Sequence, residues 1–385
     1  MIAVVSDERL LPRIPASVFV RAGLVMFWAR LGSLHALRQS AGSRFWKTWL
    51  GRPMPSDDSI GRVFGKIQAA GLREGLHHLY CRLKRNKALG GLTVAVVDGH
   101  ETHASYKRHC PGCLERTVHT QSGDRTQYYH RNVTLMLLGQ KLRLLLDVEP
   151  QQSGEDEVAA AQRLLDRVLA SYPRAFDLVL ADAFYAAAPF VHFLWSRHKY
   201  VLLVLKHERR DIYQDALALC ELQPAVAGRY RQRQCLWWDV QELTSWSQVQ
   251  MPMRVVRSVE SYFIRRQATK QQSQETSEWM WITNLPLSMS GTEAIVRLGH
   301  ARWDIENYGF NELVNGWYAD HVYRHDPVAI EAFYLLVFLA FNLFHAFLIL
   351  NLKPELRDAR PVRFWAQMMM CEIHRSAYPA PGRGP

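Results

Sequence analysis

The chain has 385 residues, a formal net charge of +11 and 48% hydrophobic residues. That length suffices for two or three structural units at roughly 150 residues each, and the composition excludes a disordered or low-complexity protein. Six cysteines, four of them scattered and only Cys110 and Cys113 close together, exclude a disulfide-framed scaffold and suit a reducing compartment.

Residues 1–90 read as helical. Residues 18–37 are amphipathic, Asp57-Asp58-Ser59 marks a helix start, and residues 60–85 continue at helical spacing. This stretch holds 15 Lys and Arg against five acids (Asp7, Glu8, Asp57, Asp58 and Glu74), so nearly all the excess charge lies there. A localised basic region is the footprint of a nucleic-acid partner, although a solubilising surface reads the same on charge alone. Residues 1–90 are therefore expected to be a helical, basic DNA-binding region. Residues 86–91, with Gly90-Gly91, read as a linker.

Residues 92–98 (LTVAVVD) form an apolar, β-branched run ending in an acid, the pattern of a buried strand. Residues 132–138 and 141–148 are two more β-type runs, and Gly139-Gln140 between them predicts a hairpin. Residues 155–171 have helical spacing. A fourth strand at 176–181 ends at Asp182, a helix follows at 186–197, and a fifth strand at 200–205. Strand, strand, strand, helix, strand, helix, strand is the order of a ribonuclease H-like α/β core, whose first part is assigned to residues 91–206.

Residues 207–286 interrupt this core as a β-rich insertion, with strand-like segments at 230–242, 253–266 and 278–284 and five of the twelve tryptophans. Residues 287–375 return as the core's C-terminal helices, around 292–315 and 328–350. Residues 332–350 (AFYLLVFLAFNLFHAFLIL) approach the roughly 20 apolar residues of a membrane span. No second span accompanies them, Asn342 and His345 interrupt them, and both flanks mix charge signs. The segment is predicted to be a buried helix of a soluble core, without a membrane partner. Residues 376–385 (SAYPAPGRGP) read as a flexible tail. The apolar run at 2–5 is too short for a secretory signal, so a cytoplasmic protein is expected.

Asp98 and Asp182 each close a hydrophobic strand. A carboxylate there is costly without a partner or ligand. One such residue reads equally as a cap or turn; two, on strands that this topology makes neighbours, point to a shared metal site. Glu306 lies on a helix with Arg302 four residues before it, a spacing that places both on one face. A surface ion pair is the plainer reading of that pair. Three carboxylates from separate segments suit Mg²⁺ or Mn²⁺, two ions of which support in-line displacement at phosphorus.

VVDGHET around Asp98, LADAFY around Asp182 and HARWDIENYGFNEL around Glu306 resemble the three catalytic motifs of DDE transposases of the insertion-sequence-four family. The resemblance runs from about residue 55 to 350 and includes WMWITNLP, similar to the strand that leads back to the core. It implies a bacterial enzyme that cleaves and rejoins double-stranded DNA at the ends of an insertion sequence. Asp98, Asp182 and Glu306 would be both catalytic and metal-binding, with two Mg²⁺ or Mn²⁺ per site, and a homodimer would hold two ends in a synaptic complex. Arg302 matches the family's DNA-end arginine. The family's Tyr and Lys positions hold Gly299 and Leu313, with His300 or Asn315 as candidate substitutes. Trp237 and Trp238 are candidates to stack on a flipped base, with β-core packing as the plainer reading. The alternatives are a metal-dependent nuclease on the same core without strand transfer, and an inactive DNA-binding derivative.

A second cluster follows Asp98: His100, His103, His109, Cys110, Cys113 and His119. A Cys-x-x-Cys knuckle near histidines can hold a structural Zn²⁺; a plain thiol-bearing turn is the alternative.

Overall fold

A computed structural model describes residues 5–90, 93–139, 142–206, 210–265 and 271–375. Five helices come first: α1 (Ala16–Trp28), α2 (Leu34–Gln39), α3 (Arg44–Leu50), α4 (Asp57–Phe64) and α5 (Ala69–Arg85). Then follow β1 (Val94–Ser105), β2 (Leu114–Thr120), β3 (Gly123–Leu138), β4 (Arg143–Pro150), α6 (Glu157–Ser171), β5 (Leu178–Ala181), α7 (Ala188–Trp195) and β6 (Tyr200–Val204). The next stretch holds α8 (Asp211–Glu221), β7 (Val226–Tyr230), β8 (Arg233–Leu243), β9 (Met253–Arg265) and β10 (Gln272–Thr283). The chain ends with α9 (Thr292–Ala301), a π-helix (Ile305–Phe310), α10 (Asn311–Trp317), α11 (Pro327–Asn351), α12 (Pro354–Asp358) and α13 (Val362–Arg375). The expected tail at 376–385 and the tip of the β3–β4 hairpin lie outside the described residues.

The helix expected over 18–37 is two helices. Arg30 takes a left-handed backbone with φ 56°, and its guanidinium sits over the Trp317 ring at 3.3 Å. Ser33 then caps α2 by accepting from Ala36 N. The run at 60–85 also divides, because the start of the chain claims the backbone between α4 and α5. Glu8 N donates to Lys66 O, and Gln68 N donates to Ser6 O. The cap of α4 is Ser56, just before the expected Asp57.

The chain forms two compact units: residues 1–91, 99–173 and 306–385 in one, and residues 92–98 and 174–305 in the other. In the first unit, α11 is the central helix, packed by α1, α4, α5 and β4. It is long and apolar enough to cross a membrane, and most of it is buried inside the protein. Asp326 caps it by accepting from Ala329 N, and Pro327 sits at its start, where a missing N–H costs nothing. The two polar residues of the apolar run both have partners. Asn342 accepts from Leu145 N at 2.9 Å and donates to Leu145 O at 2.8 Å; His345 Nε2 lies 2.9 Å from Glu312. An ion-pair cluster joins α5, β4 and α6: buried Asp147 binds Arg73 and Arg167, and Glu149 binds Arg163 and Arg167.

In the second unit the strand order is β1, β5, β6, β10, β9, β8, β7. β1, β5 and β6 run parallel, and β10 joins β6 antiparallel through Trp281, Ile282 and Thr283. The residues expected as a β-rich insertion thus extend the core sheet as an antiparallel meander, β7 to β10. They also contain α8, which the strand-like pattern of this stretch did not predict.

In the first unit β3 pairs antiparallel with β2 and β4 and neighbours the later part of β1. Asp98 was expected to end its strand, but β1 continues to Ser105. Val94–Val97 are buried; from Asp98 on, β1 is mostly half-buried, so its composition turns polar while its pairing persists. A helical N-terminal region followed by a mixed, open sheet, with the core order β4-β3-β1-β5-β6, is a ribonuclease H-like α/β fold carrying extra strands.

Candidate active site

The parallel register of β1 and β5 aligns the first two acids. Val94 pairs with Leu178, Ala95 with Val179 and Val96 with Leu180. The same offset carried two residues further matches Asp98 with Asp182. The runs before them, Val94–Val97 and Leu178–Ala181, are no more than 4% exposed, whereas both acids are half-buried. Asp182 thus follows the carboxyl end of β5, where open α/β sheets place ligands, and Asp98 marks the point where β1 leaves its buried run. Asp182 also caps the short 3₁₀ turn Ala183–Tyr185, its Oδ1 accepting from Phe184 N at 2.8 Å. Aligned acceptor-only oxygens are the donor set that hard divalent cations take.

Arg302 reaches Asp98, with Nη1 3.4 Å from Oδ2. Glu306 lies four residues further along the chain. Regular helix ends at Ala301, and residues 302–303 form a turn before the π-helix, so the four-residue spacing no longer fixes a common face. An aromatic group braces Arg302's end of α9. Trp303 meets Trp279 edge-on at 4.9 Å, Trp279 stacks along Trp281, and His300 stacks on Tyr230 at 4.4 Å.

This packing accounts for the glycine at the position the resemblance gives to tyrosine. A Cβ on Gly299 would lie 2.3 Å from the Trp281 ring, so the indole occupies the space a tyrosine there would need. Leu313, at the lysine position, is buried. His300 is buried too, its Nε2 2.7 Å from Glu260, which Arg233 and Ser258 also bind. Burial raises the Glu260 carboxyl, but His300, Arg233 and Ser258 outweigh it and hold the group below its usual range. Asn315 is exposed and donates to Asn311.

Glu306 is exposed and sits in the first turn of the π-helix. It belongs to the first unit, whereas Asp98, Asp182 and Arg302 belong to the second. The π-helix is anchored within the first unit. Phe310 stacks on His100 of β1 at 4.7 Å, and Arg143 lies over the Tyr308 ring at 3.9 Å. Burial lowers the His100 imidazole from its ordinary value. π-Turns are rare and concentrate at functional sites.

Trp237 is buried, and its ring fills the space where Gly228 lacks a side chain; a Cβ there would lie 2.3 Å away. Trp238 is half-buried under the Arg257 guanidinium at 4.8 Å. Of the two, Trp238 keeps accessible ring surface.

Cys110 and Cys113 do meet histidines, but not the four nearest in sequence. Their partners are His130 on β3 and His325 before α11, all four ligand atoms lying within 4.8 Å of one another. Proximity in sequence was the wrong guide, because β3 and the segment before α11 return to the knuckle from 17 and 212 residues away.

A family model described as "Transposase DDE domain" matches residues 90–343. No curated protein matches the chain. Among solved structures, the NurA nuclease from Sulfolobus solfataricus aligns with 55% of this chain and 74% of its own at 9% identity, with a TM-score of 0.29.

Proposed function

This chain belongs to the transposase DDE-domain family, a family of DNA-acting enzymes, and we propose that it cleaves and rejoins double-stranded DNA at the ends of an insertion sequence. The observation that carries this reading is the parallel register of β1 and β5, which, carried two residues past Val96 and Leu180, matches Asp98 with Asp182. Asp98, Asp182 and Glu306 act together as the acidic triad. Their hard oxygens suit two Mg²⁺ or Mn²⁺ ions, which when bound activate a water or 3′-hydroxyl and stabilise the leaving oxygen.

The chain's own groups prepare that chemistry. The cap that Asp182 makes to Phe184 N fixes one carboxylate, and the Arg302 contact orients Asp98. Arg302 presents a planar cation suited to phosphate oxygens. Trp238 offers the ring for stacking on an extruded base. The helical region 1–90, with its basic excess, supplies sequence-independent affinity for the phosphate backbone. Two ends must be held at once, so the working form is a homodimer on DNA, acting on the nucleoid in the bacterial cytoplasm.

Incubation with Mg²⁺ and DNA carrying the element's own ends tests the reading. Nicked and joined products are expected. Nicked products alone would indicate a nuclease, and the absence of both in Mg²⁺ and Mn²⁺ would overturn catalysis.

A further inference from the structure

The knuckle at Cys110 is built like a metal centre. Cys113 N donates to Cys110 O at 3.0 Å, closing the turn, and Cys110 N donates to Cys113 Sγ at 3.2 Å. The two sulfurs lie 3.8 Å apart, well beyond the roughly 2.05 Å of a disulfide. His130 Nε2 lies 3.4 Å from Cys110 Sγ and 3.3 Å from Cys113 Sγ, and His325 Nε2 lies 3.4 Å from Cys113 Sγ. His130 is buried, and the other three are half-buried.

These separations match the edges of a tetrahedron around zinc. Bonds of about 2.3 Å to sulfur and 2.0–2.1 Å to nitrogen require edges of about 3.8 Å between sulfurs and about 3.5 Å between sulfur and nitrogen. Thiolate and imidazole donors select zinc over the hard cations that carboxylates hold. All four donors come from protein, as in closed structural sites. We propose that Cys110, Cys113, His130 and His325 bind one structural Zn²⁺. The ion would tie three segments of the first unit together: the loop after β1, strand β3 and the approach to α11. This assignment is independent of the acidic triad.

The test uses the full chain, purified without a histidine tag under reducing conditions. Elemental analysis should find about one zinc per chain. Cobalt added to chelator-treated protein should give the intense visible bands and thiolate charge-transfer absorption of tetrahedral coordination. Cys113→Ser and His325→Ala should each lose the zinc, while Asp98→Asn should keep it. Chelation should lower the melting temperature of the wild-type chain, with recovery on adding Zn²⁺ but not Mg²⁺. Wild-type protein without zinc that also fails to take up zinc or cobalt would overturn the proposal, and so would full zinc retention by both ligand variants.

Discussion

Asp98 and Asp182 each directly follow four buried residues on two parallel strands, and the register of those strands, carried two residues past Val96 and Leu180, matches the two acids. Parallel strands buried on both faces have little freedom to slip, because a one-residue shift would drive an acid into the core. The hydrophobic runs therefore set the level of both carboxylates.

Asp182→Asn should separate metal binding from folding. The amide oxygen can still accept from Phe184 N, so the turn and the melting temperature should persist. Cleavage in Mg²⁺ should fall by more than the roughly 100-fold that loss of an outer-shell partner costs. Gel-shift affinity for end DNA should stay near wild type. Cleavage within about tenfold of wild type, no more than the smallest outer-shell loss, would remove Asp182 from the triad.

Glu306→Gln and Arg302→Ala should differ in kind. The first should abolish cleavage with binding nearly intact, since Glu306 is exposed and the amide keeps its shape while removing the charge that would hold the metal. The second should weaken binding and positioning of end DNA, because Arg302 offers its guanidinium beside Asp98. Cleavage assays and binding titrations on both proteins decide it; two mild phenotypes would reduce the pair to ordinary surface charges, worth about 0–1 kcal/mol.

DNA affinity of the N-terminal region is best tested without truncation. α1, α4 and α5 pack on α11, so deleting them would uncover an apolar helix and confuse misfolding with impaired binding. Arg82 and Arg85 lie in the last turn of α5 and Lys87 just after it, and all three are exposed. Changing all three to Glu should weaken binding and flatten the salt dependence by about 0.9 in log–log slope for each phosphate no longer neutralised. An unchanged slope would place the DNA-binding surface elsewhere.

Glu260 gives a pH signature. Its folded value lies below the ordinary glutamate value, so its stabilising contribution is present above about pH 4.3 and is lost as the pH falls through the folded value. Glu260→Gln should cost about 3–5 kcal/mol at neutral pH, as expected when one partner of a buried charged network is removed. Melting curves of both proteins from neutral pH down to about pH 3, below the ordinary glutamate value, should converge on the acid side. A constant gap would show that the loss is one of packing alone.

Where sequence and structure agree, the reason is local. Val94–Val97 and Leu178–Ala181 read as buried strands because each face of the sheet is covered, and an acid after such a run stands out. Where they part, the cause lies at a distance. β1 looks finished at Asp98 because its remaining residues are polar. The continuous helix expected over 18–37 is divided after Trp28, where Arg30 takes a left-handed backbone and meets Trp317, far along the chain. The histidines that meet Cys110 and Cys113 carry no spacing signal, and the ones that did carry it point elsewhere.

The Asn342 amide has a consequence for how α11 is seated. β4 pairs with β3, and the amide serves the Leu145 peptide from the helix side, supplying both a donor and an acceptor to one residue of a strand. Leucines and phenylalanines around an evenly apolar helix would tolerate sliding or rotation, since one greasy surface resembles the next. A single amide fitted to the N–H and C=O of one residue does not: moving the helix by one residue would strand both of those buried backbone groups at about 1–3 kcal/mol each. Asn342 is thus an indexing pin that gives an otherwise featureless helix one seat, and it occupies hydrogen-bonding groups where a foreign strand could otherwise add.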